Sequence, residues 1–144
     1  MPARYGGNRN KLLVIDDNEA FLEEFAESLR SAGYDVEATT DGSHILELTA
    51  KDRPDLILIE LKMQSISGFE VASAVKYDPQ ISGTPIIAMS AFYDMKEKDF
   101  LSTICGVNRF LKKPFNFPEA IRQIEDILKE RPILSNEKED TGNR

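Results

Sequence analysis

The sequence predicts an α/β fold in which five parallel strands are joined by helical crossovers. Three observations lead there. Short apolar runs rich in branched residues alternate with longer segments of helical period, the pattern of strands fed by crossover helices. At 144 residues the chain has the length of one domain with tails, and no repeat of solenoid length is visible. The run Leu56-Ile57-Leu58-Ile59 is apolar without interruption, as a strand covered on both faces must be, and it marks the sheet centre.

The first strand is expected over Lys11 to Ile15. The helix behind it carries Phe21, Leu22, Phe25 and Leu29 at helical spacing and stops at Gly33. A weaker strand spans Tyr34 to Ala38, the Asp41-Gly42 pair turns the chain, and a second helix shows Ile45, Leu46 and Leu48. Pro54 ends that connection ahead of the central strand. A Ser67-Gly68 turn then leads into a third helix with Phe69, Val71, Ala72 and Val75, broken at Asp78-Pro79. The fourth strand runs from Pro85 to Met89, and the helix after it shows Phe100, Leu101 and Ile104. A short fifth strand, Arg109 to Leu111, precedes a last helix with Ala120, Ile121, Ile124, Ile127 and Leu128 along one stripe. Pro132 closes the domain, which therefore spans residues 11–131. Residues 1–10 and 132–144 are expected as disordered tails, being too polar to bury themselves.

Lys and Arg number 18 against 25 Asp and Glu, and a formal charge of −7 gains nothing from counterion release at a phosphate backbone. No direct nucleic-acid partner is expected. No run approaches the roughly 20 apolar residues of a membrane helix, and Met1 to Asn10 lacks the apolar stretch of a signal peptide. A soluble, cytoplasmic protein without a membrane partner is expected. Cys105 is the single cysteine, so it forms no internal disulfide, suggests no zinc site and is read as a small core residue. His44 is the only histidine and is read as a surface residue just after a turn.

An open parallel sheet offers the carboxyl ends of its strands as a binding crevice. Past the first strand stands Asp16-Asp17, past the third Glu60, past the fourth Ser90, and past the fifth Lys113-Pro114. Asp16, Asp17 and Glu60 are hard oxygen donors of the kind Mg2+ takes. Lys113 as a point charge and Ser90 as a hydroxyl donor suit the oxygens of a phosphoryl group. The set fits metal-assisted phosphoryl transfer. Plainer roles compete with it: Asp16 and Asp17 as caps of the first helix, Lys113 as a salt-bridge partner of Asp17 or Glu60, Ser90 as a turn residue, and Phe110 as core.

Four segments carry a family resemblance: Leu13-Val14-Ile15-Asp16-Asp17-Asn18, Pro54-Asp55-Leu56-Ile57-Leu58-Ile59, Met89-Ser90-Ala91 and Phe110-Leu111-Lys112-Lys113-Pro114-Phe115. Together, in this order, they resemble the signature segments of the receiver domains of response regulators, the CheY-like superfamily, over roughly Lys11 to Glu130. The resemblance implies a doubly wound, flavodoxin-like sheet of strand order 2-1-3-4-5. It implies that Asp16 and Asp17 hold Mg2+ with the main-chain carbonyl of Lys62, that Lys113 pairs with phosphoryl oxygens, that Ser90 and Phe110 form the switch, and that the Lys113–Pro114 bond is cis. It implies no enzyme and no other cofactor. The partners it implies are a histidine kinase or an effector domain or protein, together with weak homodimers through the same face, built by the fourth helix, fifth strand and fifth helix.

Two departures stand out. Glu60 occupies the position of the phosphate-accepting aspartate and Gln64 a position where proline is common, while Asp55 lies at the far end of its strand and is no substitute acceptor. Glutamate has the nucleophilic group, but its extra methylene displaces that group by about one ångström, an error that can cost about a hundredfold in rate. The expectation is an atypical receiver acting by protein–protein interaction, with Mg2+ binding weakened, or absent where the site has decayed. Glu60 then imitates a phosphorylated residue in part or marks a decayed site. The alternatives are phosphate acceptance at Glu60 in a phosphorelay, and an unrelated small-ligand enzyme on the same fold, against which the lack of a glycine-rich phosphate loop counts.

Overall fold

The computed structural model describes residues 9–51, 53–64 and 66–140, without the side chains of His44, Leu46, Ala50 and 131–140. The elements follow in the order β1 (Lys11–Ile15), α1 (Glu19–Ser31), β2 (Asp35–Thr39), α2 (Ile45–Lys51), β3 (Leu56–Glu60), α3 (Gly68–Lys76), β4 (Ile86–Ser90), α4 (Met95–Thr103), β5 (Arg109–Lys112) and α5 (Phe117–Asp140). All the strand pairs are parallel, and the sheet order is β2-β1-β3-β4-β5. This is the doubly wound arrangement that the family resemblance implies.

Alternation along the strands divides the core into two layers. Leu12, Val14, Leu56, Leu58, Ile87 and Met89 pack with Phe25, Leu29 and Ile124 of α1 and α5. Leu13, Ile15, Ile57, Ile59, Ile86 and Ala88 face the other way, against Ile45, Val71, Val75 and Leu101 of α2, α3 and α4. Every residue of β3 and β4 is buried. Cys105 lies in the second layer, its sulfur 3.5 Å from Ser73 Oγ, as its core reading requires.

The helix ends follow local chemistry. Asn18 caps α1 by accepting the Phe21 N–H at 3.1 Å, and Gly33 takes the positive φ of 103° that ends that helix. Ser67-Gly68, expected as a turn, opens α3 instead: Ser67 and Glu70 form a capping box and Gly68 is the first helical residue. Of the expected apolar residues of α4 only Leu101 is buried, while Phe100 and Ile104 are exposed, because the helix lies with a single side chain directed at the sheet.

Helix α5 runs on past Pro132, the residue at which the sequence predicts the domain to close. A proline removes one intrahelical donor, whereas the residues after it include Leu134, Glu137 and Lys138, which are ordinary helix formers. Of the tails expected as disordered, residues 132–140 instead continue α5, whereas residues 1–8 and 141–144 lie outside the described residues, as does the side chain of His44.

Candidate functional site

Strand register decides which residues meet. Ile15 pairs with Ile59, Glu60 with Met89, and Ser90 with Lys112, so the carboxyl ends of β1, β3, β4 and β5 lie side by side. Asp16, Glu60 and Ser90 are the polar groups this edge buries, with exposures of 0%, 6% and 1%. Buried carboxylates need a counter-charge.

Lys113 supplies it. Its ammonium lies 2.6 Å from Asp16 Oδ2 and 2.7 Å from Glu60 Oε1, bridging β1 and β3 from the end of β5. The Lys113 N–H is tied to the Ser90 carbonyl at 2.9 Å and the Lys113–Pro114 bond is cis. The ammonium also sits 4.2 Å from the centre of the Phe21 ring, which belongs to an aromatic cluster with Phe25, Phe115 and Phe117. Burial pulls the Lys113 pKa down, but hydrogen bonds and charge from Asp16 and Glu60 outweigh it, so the pKa lies above its ordinary 10.5.

Three further carboxylate oxygens take main-chain donors. Asp16 Oδ1 accepts the Asn18 N–H at 2.9 Å, Glu60 Oε2 accepts the Lys62 N–H at 2.9 Å, and Asp17 Oδ2 accepts the Gln64 N–H at 3.1 Å. The cap of α1 is therefore Asn18, not the acidic pair. Lys113 pairs with Asp16 and Glu60, whereas Asp17 is tied to the loop after β3. The Lys62 side chain turns outward, 3.0 Å from Glu97 on α4 and 5.8 Å from the Phe69 ring centre.

Ser90 faces its own loop. Its hydroxyl donates to the Phe92 carbonyl at 2.9 Å and accepts the Phe92 N–H at 3.3 Å, so the longer arm of Glu60 reaches Lys113 while Ser90 closes a local turn. Phe110 is half-buried, its ring 5.5 Å from that of Tyr93 and with Lys98 at 5.5 Å. Asp55 accepts the Lys11 N–H at 2.7 Å at the opposite end of β3, away from the site.

A Mg2+ ion needs convergent oxygens with free lone pairs. Here a lysine ammonium stands between Asp16 and Glu60, and the second oxygen of each is engaged by an N–H. Among the described residues no group of three Asp, Glu, His or Cys side chains is placed to hold a metal ion. As arranged, the residues do not fit the ion. Two contributors escape sequence reasoning: Phe21, which reads only as core, and the Gln64 N–H, whose one signal is a residue with an amide hydrogen where proline has none.

Known proteins bear on the site. Residues 12–125 match the response regulator receiver domain family. The polar-differentiation response regulator DivK of Brucella anthropi is 31% identical over 117 residues, covering 81% of this chain and 94% of the relative. The solved chemotaxis protein CheY4 of Vibrio cholerae is 29% identical with a TM-score of 0.77, covering 82% of this chain and 98% of that one. A response regulator from Desulfuromonas acetoxidans is 26% identical with a TM-score of 0.75, covering 85% and 98%.

Proposed function

The chain belongs to the response regulator receiver domain family of two-component signalling, and on that premise we propose that it is an atypical receiver, acting by protein–protein contact without phosphate turnover at Glu60. The observation that carries this reading is the engagement of both Glu60 oxygens, one by Lys113 and one by the Lys62 N–H. A carboxylate so held is not free to attack a phosphoryl group in line, and releasing it means leaving a partly buried lysine short of a partner. Glu60 serves instead as a fixed anion that keeps Lys113 and the loop after β3 in one arrangement. It imitates a phosphoryl group in part, offering one charge and two oxygens, and it engages Lys113 while Ser90 bonds to its own loop.

The output surface of this reading is the face of α4, β5 and α5. Met95 of α4 is 70% exposed, Phe92 in the loop before α4 is 75% exposed, and Lys98 and Lys112 lie over the rings of Phe110 and Tyr93. Exposed aromatic and thioether groups ringed by charge suit a protein partner, a kinase or an effector. The same face is where a weak homodimer would form. Phosphate acceptance at Glu60 rests on the retained Asp16, Asp17, Ser90 and Lys113, and the engaged Glu60 oxygens weigh against it. Incubation with acetyl phosphate and Mg2+, read by intact mass, is expected to leave the chain unmodified; a phosphate mapped to Glu60 by fragmentation would sink the proposal.

A further inference from the structure

Receiver domains generally bind Mg2+ at their acidic site. We propose that this chain closes that site to divalent cations with its own donors: the Lys113 ammonium is the resident cation between Asp16 and Glu60, and the Gln64 N–H latches Asp17. The inference deepens the reading above and rests on it in treating the site as a holder of conformation.

Two features act together. The first is electrostatic. Lys113 Nζ lies within 2.6 Å of Asp16 and 2.7 Å of Glu60, over the Phe21 ring at 4.2 Å, so the position midway between the two strand ends already holds a positive charge. A cation entering there must displace the ammonium or share two carboxylates with it, and like charges at such range repel. The longer side chain of Glu60 lets one oxygen reach Lys113 while the other turns back to the Lys62 N–H.

The second feature is the loop after β3. Asp17 is exposed at its edge, and its Oδ2 accepts the Gln64 N–H at 3.1 Å. Any other residue at 64 except proline brings the same donor, so the latch depends on the absence of proline there. The loop is held at both ends of the bond: Gly68 packs against the main chain of Glu60 and Leu61, and the Lys62 side chain is anchored to Glu97 of α4. A charge-assisted hydrogen bond from a held loop competes with a hydrated ion that sheds its waters reluctantly. Each carboxylate of the edge is thus bonded by a donor of the chain.

The test is a cation titration by calorimetry, with amide chemical shifts of Asp17, Lys62 and Gln64 followed by NMR. Wild type is expected to show no saturable heat with millimolar Mg2+, whereas Gln64→Pro gains Mg2+ affinity by about tenfold or more through release of Asp17. In Lys113→Met, Mg2+ is expected to raise the melting temperature, which it leaves unmoved in wild type. Saturable Mg2+ binding by wild type with shifts at these amides would overturn the inference, and so would folded variants that bind no better. A check independent of any metal is hydrogen exchange: the Gln64 amide is expected to be protected in wild type and unprotected in Asp17→Ala. Fast exchange in wild type refutes the latch. Phosphate uptake from acetyl phosphate decides the preceding reading and leaves the outcome of this titration untouched.

Discussion

Lys113 carries its charge to a place where burial alone would favour losing it. Two carboxylates reverse that balance, and the result is a stability that depends on all three groups. Because the folded pKa lies above 10.5, the bridge contributes fully below that pH and is lost as pH rises through the folded value. Urea titrations of wild type are expected to show a stability plateau on the alkaline side of neutrality and a fall above pH 10.5, steeper than in Lys113→Met. Removing the lysine leaves Asp16 and Glu60 buried without their counter-charge, and Lys113→Met is expected to cost about 3–5 kcal/mol by denaturant unfolding at neutral pH. A loss below about 1 kcal/mol, the range of surface ion pairs, would show that the bridge is screened.

At the scale of elements, the approach of α3 to the end of β3 sets where the Glu60 main chain lies. Gly68 stands so close that a Cβ there would meet the Glu60 carbonyl oxygen at 2.5 Å and Leu61 Cα at 2.6 Å, both main-chain atoms that cannot rotate aside. Gly68→Ala should therefore push α3 off the strand end, costing about 1–3 kcal/mol as overpacking does. Thermal unfolding measures the cost, and the Lys62 amide shift reports whether the Glu60 bond moves with it. Helix α4 is the opposite case: only Leu101 anchors it to the sheet, with the Lys62–Glu97 pair across its first turn, so it presents Met95 outward, and the loop before it Phe92, at little cost in core packing.

For the whole molecule, β3 belongs to both core layers, with Leu58 on the α1–α5 side and Ile57 on the side of α2, α3 and α4. Strands shared in this way couple the layers. Ile57→Ala and Leu58→Ala are each expected to cost about 2–5 kcal/mol and to shift one common transition, as seen by circular dichroism and tyrosine fluorescence together. Separate transitions for the two probes would mean that the layers unfold independently. The net charge of −7 belongs to this scale too, since it disfavours nucleic acid as a partner for any face of the domain.

The fold was legible because it depends on period. Apolar runs at Leu13, Ile57 and Ile87 mark strands covered on both faces, and the stripe through Ala120, Ile124 and Leu128 marks a helix, before any contact is known. Strand-end chemistry was legible for the same reason: Asp16, Glu60, Ser90 and Lys113 each stand just past an apolar run, and a parallel sheet gathers such positions on one edge. Boundaries of a residue or so escaped, as did the opening of α3 at Gly68 and the exposure of Phe100 and Ile104, since period does not reveal which neighbour a helix leans on. Contacts within the edge were settled by tertiary structure alone. Register places Lys113 between Asp16 and Glu60 and over Phe21, and loop path brings the Gln64 N–H to Asp17; both are meetings of atoms far apart in sequence, which no local pattern encodes. By itself, then, the sequence determined the sheet and the residues at its edge. Only the folded chain decided how those residues divide the charge among them, because that division depends on distances of a few ångströms between separate strands.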